Sequence, residues 1–143
     1  MKNYNIVKEA IIIIEEGKTV TLPVNGVSMF PLIKGGEDSI TLEKHDNYCI
    51  FDIVLAWVNN DHFVIHRIIK KKNNIATLMG DGNIGQIEKC NISDIKALAT
   101  HIVDKKGNRI VLNRWYYKLY AVIWICLYPI RRYLLTFCKR FMS

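Results

Sequence analysis

The chain has 143 residues, half of them apolar, and 20 Lys or Arg against 13 Asp or Glu give it a net charge of +7. That is enough chain for one domain with a real core, and too apolar a chain for a disordered tail. Its four cysteines, Cys49, Cys90, Cys126 and Cys138, form no C-x-x-C pair and have no histidine cluster beside them. This argues against a zinc site or a disulfide framework and for reduced thiols in the cytoplasm.

Residues 3–16 read as a short helix, with Ile6, Val7, Ala10, Ile11 and Ile14 at helical spacing and Gly17 placed to cap it. The apolar patch at 10–14 is too short for a signal peptide or a membrane span, and Glu9, Glu15 and Glu16 border it. From Thr19 the texture changes: Val20, Leu22 and Val24 alternate with polar residues, as in a half-buried strand. The segment 26–31 interrupts that pattern. A strand at 39–42 follows the Gly35-Gly36 turn. Residues 50–58 form an apolar strand ending at the turn Asn59-Asn60-Asp61, and 62–70 return from it. Asn73-Asn74 make a second turn before a strand at 75–79. Residues 92–99 read as a helix start or an edge element, and 100–103 and 109–112 flank a further hairpin turn at 104–108. Short strands with turns between them predict a mainly β domain over residues 1–112, folded as a compact sheet or a partly closed barrel.

Residues 113–143 differ in kind. Asn113 is a good N-cap, residues 115–128 contain no Gly or Pro, and Pro129 should break or kink the helix before a second one runs to about Phe141. A C-terminal helical hairpin is expected. The uncharged stretch 119–130 is twelve residues long, short of the roughly 20 that cross a bilayer. Trp115, Tyr116, Tyr117, Tyr120, Trp124, Tyr128 and Tyr133 are aromatics of the kind that settle at a lipid interface. From Lys105 onward there are nine Lys or Arg and no acidic residue, which suits an anionic lipid surface. The expectation is shallow helices holding a cytoplasmic protein at the inner face of the cell membrane. The alternative is a helical pair packed on the β domain or on a partner protein. Nucleic acid is disfavoured as a partner, because the aromatics lie in an apolar helix and not on a strand platform.

Three elements carry chemistry. Ser28 lies in Val24-Asn25-Gly26-Val27-Ser28-Met29-Phe30-Pro31, where Gly26 permits unusual dihedrals and Pro31 restricts the backbone. Such a turn can present a hydroxyl together with its own backbone N–H, half of an oxyanion hole. Gly26, Met29 and Pro31, flanking the serine, are expected to contact substrate. His66 ends the run Phe63-Val64-Ile65-His66, whose alternation puts Val64 and His66 on one face, and a neutral imidazole there can serve as base for the serine. Asp81, in Gly80-Asp81-Gly82-Asn83, can orient the imidazole and stabilise its protonated form. Taken singly, each has a plainer reading: a loop serine, a packed strand histidine and a turn aspartate. No cofactor is expected.

Together, Gly26-Val27-Ser28-Met29-Phe30-Pro31, Asp52-Ile53-Val54, His66-Arg67-Ile68 and Gly80-Asp81-Gly82-Asn83 resemble the serine peptidase superfamily of type I signal peptidases and LexA-like self-cleaving proteins. In that family the Ser-Met pair carries the nucleophile, and the base is Lys in most bacterial members and His in the archaeal and endoplasmic-reticulum type. His66-Arg67 stands at the base position, so the chain looks like the Ser/His version, and the layout is most similar to small stand-alone bacterial members with an Arg-rich C-terminus. The resemblance implies the family's compact β fold and hydrolysis of a peptide bond in a peptide or protein substrate, through an acyl-enzyme on Ser28. There are departures. Phe51 precedes Asp52 where the family usually has Gly, and Gly26 stands where some bacterial members have a side-chain oxyanion donor. The Ser/His members carry a further acidic residue shortly after the Gly-Asp-x-Asn box; here the stretch reads Ile84-Gly85-Gln86-Ile87-Glu88, so that partner is missing or replaced, and Asp81 is taken for the orienting role. About 25 residues precede the motif, so neither a signal-peptidase anchor nor a helix-turn-helix domain is expected. No Ala-Gly or Cys-Gly site for self-cleavage occurs. The competing expectation is a non-catalytic, membrane-associated binding module on the same fold.

Overall fold

Apolar spacing and turn residues account for most elements of the computed structural model, which describes residues 4–142. In chain order these are α1 (Tyr4–Glu15), β1 (Val20–Pro23), β2 (Ser39–Glu43), β3 (Ile53–Val58), β4 (His62–Lys72), β5 (Ile75–Met79), β6 (Glu88–Asn91), β7 (Ile95–Val103), β8 (Arg109–Val111), α2 (Trp115–Cys126) and α3 (Arg131–Met142). The fold is mainly β, as expected: a curled antiparallel sheet with one helix before it and two after it. Strand order is β1-β2-β7-β3-β4-β5-β6, and β8 pairs with β7.

The two hairpins flanking β4 follow from their turn residues. Asn59 and Asn60 both have positive φ (55° and 51°), as do Asn73 and Asn74 (50° and 64°). Asn tolerates this conformation better than most residues, and two such residues in succession give a turn whose twist matches the strands. The register that results sets Val54 opposite His66, and Ile68 opposite Leu78. Side-chain alternation then feeds two cores. Phe63 joins Ile33, Ile40, Leu42, Leu55 and α1 residues Val7 and Ile14 in one, with Ile65 packed against it. Val64 and Ile68 join Val54, Ala76 and Leu78 in the other.

Three expectations are corrected. Residues 92–99 are neither a helix start nor an edge: after a single 3-10 turn at Ile92–Asp94 they enter β7, which lies between β2 and β3 in the middle of the sheet. Strand β6 was not foreseen, because Glu-Lys-Cys-Asn buries only Cys90 and shows no apolar alternation; its pairing with β5 makes it a strand. The N-cap of α2 is Arg114 and not Asn113, and no side chain caps that end. Pro129 falls in a 3-10 turn (Tyr128–Ile130) between α2 and α3, where the helical path bends by 65°. Among the described residues, no single helix is long and apolar enough to cross a membrane.

Phe51 adopts φ 79°, so the tight turn before β3 forms without the glycine that the position favours. Its N–H donates to the Ile68 carbonyl at 2.7 Å and its carbonyl accepts from Arg67 Nη1 at 2.8 Å, and these bonds hold the strained backbone in place. A bulky residue in this region costs about 1–2 kcal/mol, while glycine loses about 0.5–1 kcal/mol more on ordering. Phe51→Gly is therefore expected to leave the fold intact and raise its stability by about 0.5–1 kcal/mol, read as a higher midpoint in a thermal or urea melt. A lower midpoint would mean that the half-buried ring packs more favourably than the backbone is strained.

Candidate active site

Ser28 and His66 line the same cleft, a space of about 720 Å³ bordered by Ile6 of α1, by Met29, and by Phe63 and Ile65 of β4. Ser28 reaches it through a turn that glycine makes possible. Gly26 has φ +80°, and Phe30 N–H then donates to the Val27 carbonyl at 3.1 Å. The Ser28 N–H meets no backbone acceptor among the described residues. The Phe30–Pro31 peptide bond is cis. Of the three residues expected at the substrate site, Gly26 and Met29 border the cleft. Pro31 is outside its lining, because the chain turns back after Met29, whose carbonyl accepts from Ile33 N–H at 3.0 Å.

The Gly80-Asp81-Gly82-Asn83 loop is the backing of this turn. Gly82 N–H donates to the Ser28 carbonyl at 2.8 Å. A Cβ on Gly80 would lie 2.2 Å from that carbonyl oxygen, and one on Gly82 would lie 2.2 Å from the Val27 oxygen. Both glycines are therefore needed for two stretches of backbone to touch.

Asp81, expected on His66, pairs with Arg67 instead. Asp81 Oδ1 accepts from Arg67 Nε at 2.8 Å and Oδ2 from Arg67 Nη2 at 2.7 Å, a bidentate pair in which Arg67 is 4% exposed and Asp81 2%. The group on His66 is Glu88, whose Oε2 lies 3.0 Å from Nδ1. Strand parity explains the exchange. Arg67 pairs with Met79, and Asp81 is two residues beyond Met79, so it falls on the Arg67 side. Ile68 is opposite Leu78, and Leu78 is opposite Glu88, so Glu88 shares the face of Ile68 and of His66 two residues before it. Glu88, and not Asp81, is thus the carboxylate that meets His66.

An ionised carboxylate only accepts hydrogen bonds, so the Nδ1 that faces Glu88 carries a proton, and in the neutral form of such a ring Nε2 bears the lone pair. Among the hydrogen bonds of the described residues none joins Ser28 Oγ to the ring; in unliganded sites such bonds are often long and close on substrate. The cysteines are poor rivals for a nucleophile's role. None borders the cleft, and the buried Cys90 thiol is pushed up to about 11 by burial and by the nearby Asp94.

The C-terminal helices fasten to the same loop. Trp124 Nε1 donates to the Asp81 carbonyl at 2.7 Å, and the buried Arg131 donates to the carbonyls of Asn83 and Trp124, each at 3.2 Å. The Arg131 guanidinium also sits 5.3 Å from the ring centres of Trp124 and Tyr128. Burial, partly offset by Asp81, lowers its proton affinity from the usual arginine value. Tyr120 lies over Arg67, and burial, with Asp81 adding to it, pushes its hydroxyl well above the ordinary tyrosine range.

Comparison of the chain with protein-family models, curated proteins and solved structures gives no significant match.

Proposed function

We propose that the protein is a serine endopeptidase of the Ser/His kind, cleaving a peptide through an acyl-enzyme on Ser28 with His66 as general base and Glu88 as the group that orients it. The observation that carries this reading is the presence of Ser28 and His66 on one cleft, with a carboxylate on Nδ1 of the ring. His66 Nε2 takes the hydroxyl proton as Oγ adds to the scissile carbonyl carbon. The oxyanion that forms meets the Ser28 N–H. Collapse of the intermediate breaks the C–N bond, and the amine leaves with the proton held by His66. Water, deprotonated in turn by His66, then hydrolyses the ester and frees Ser28.

An extended substrate suits the cleft walls. β1 is an outer strand, and its residues Leu22 and Pro23 border the cleft. Across the cleft, β4 pairs with β3 from His62 to Arg67, but its pairing with β5 starts only at Arg67. Residues 62–66 therefore present an open edge as well. A peptide laid between these edges can hydrogen-bond as an added strand, and Ile6, Met29, Phe63 and Ile65 offer its side chains an apolar bed.

A fluorophosphonate probe tests the proposal without a known substrate. The expected result is a mass increase on Ser28 of the intact protein, absent in Ser28→Ala and suppressed in His66→Ala, with both variants folded by circular dichroism. A protein that takes up no probe, or labels equally well without His66, is a binding module and not a peptidase.

A further inference from the structure

Helices α2 and α3 each bury only two side chains, Ala121 and Trp124 from the first and Arg131 and Leu135 from the second, and Trp124 and Arg131 bond to the 80–83 loop of the β domain. Many of their other apolar side chains are open to solvent. Trp115 is 72% exposed and Tyr133 71%, and Leu119, Ile123, Phe137 and Phe141 are exposed as well. In α3, Tyr133, Phe137 and Phe141 recur every four residues, so they form one stripe along the helix. An apolar face of this extent on a water-soluble surface marks a docking site.

Charge identifies the occupant. Arg114, Lys118, Arg132, Lys139 and Arg140 are exposed on the same helices or at their ends, and no acidic residue follows Asp104. Large aromatics interleaved with cations, with no anion among them, match the boundary between acyl chains and anionic headgroups. The geometry sets the mode of contact. A helix of twelve residues is about 18 Å long, against a hydrocarbon core of about 30 Å. The 65° bend and the bonds from Trp124 and Arg131 to the 80–83 loop keep both helices on the β domain, so insertion across a bilayer would break them.

We infer that the exposed face of α2 and α3 docks the protein in the plane of an anionic lipid bilayer. Docking through this face would hold the 80–83 loop, and the Ser28 turn it backs, at a fixed height over the membrane. The inference does not rest on the peptidase reading.

The test is cosedimentation of the intact protein with vesicles of phosphatidylcholine alone and of phosphatidylcholine mixed with phosphatidylglycerol. Binding to the mixed vesicles is expected to be at least about tenfold tighter, to weaken as salt is added, and to be released by an alkaline carbonate wash. The triple change Arg132→Glu, Lys139→Glu and Arg140→Glu should remove the preference for anionic vesicles, at about fivefold in affinity per charge. Tyr133→Ser with Phe137→Ser, which keeps every charge, should weaken binding to the mixed vesicles by at least tenfold as well. All five side chains are exposed, and an unchanged melting midpoint would show that these variants fold. Equal affinity for both vesicle types, resistance to carbonate, no binding at all, or a stable dimer that Phe137→Ser dissociates would each overturn the inference.

Discussion

Replacing Asp81 by Ala is expected to lower folding stability by about 3–5 kcal/mol, the usual consequence of leaving one member of a buried ion pair alone. The Arg67 guanidinium would lose two of its three hydrogen bonds, those at 2.8 and 2.7 Å, and keep only the one to the Phe51 carbonyl. For a chain of this length each kcal/mol moves the melting point by about 3 °C, so the shift should be roughly 10–15 °C. Removing both partners is the informative control. Arg67→Met with Asp81→Leu leaves no unpaired charge, and it should recover much of the loss, short of about 1–3 kcal/mol for the Phe51 carbonyl left without a donor. If Asp81→Ala instead abolished reactivity at Ser28 with stability unchanged, the aspartate would belong to the catalytic group after all.

The roles of the two carboxylates show where the sequence was readable and where it was not. Hairpin turns announced themselves through paired asparagines, and the strands beside them through apolar runs, because both are local signals. The settings of Ser28 and His66 were legible for a similar reason: a glycine and a proline mark the serine turn, and an apolar strand marks the histidine. Glu88 carries no local mark. It opens a strand of four mostly polar residues, and it reaches His66 only because two successive registers, β4 on β5 and β5 on β6, place it on the same face. Asp81 was the nearer and more conspicuous choice, yet a shift of one residue in parity assigns it to Arg67. Phe51 gave a different lesson. A missing glycine put the tightness of the turn in doubt, and the turn formed anyway, because two hydrogen bonds with β4 residues Arg67 and Ile68 hold the unfavourable dihedral.

Glu88 should behave in the opposite way to Asp81. Its carboxylate is largely but not fully buried, with 15% of the side chain exposed, and among the described residues it bonds one imidazole nitrogen. Glu88→Gln and Glu88→Ala are therefore expected to change stability by no more than about 1–2 kcal/mol. Reactivity should respond far more. On the proposed mechanism, loss of the anionic acceptor on Nδ1 frees the ring from the orientation that aims Nε2 at the serine, and the imidazolium formed during attack loses its counter-charge. The second-order rate of fluorophosphonate labelling at Ser28 should fall by about 10²–10⁴-fold, the span typical of positioned acid–base groups. The Ala variant should be at least as slow as the Gln variant, since Gln keeps an acceptor oxygen but not the charge. Measured side by side, Asp81→Ala should alter the melt far more than the labelling rate of the folded fraction, and Glu88→Gln the labelling rate far more than the melt. The reverse pattern would return the orienting role to Asp81, and unchanged labelling in both Glu88 variants would leave His66 acting without a carboxylate partner.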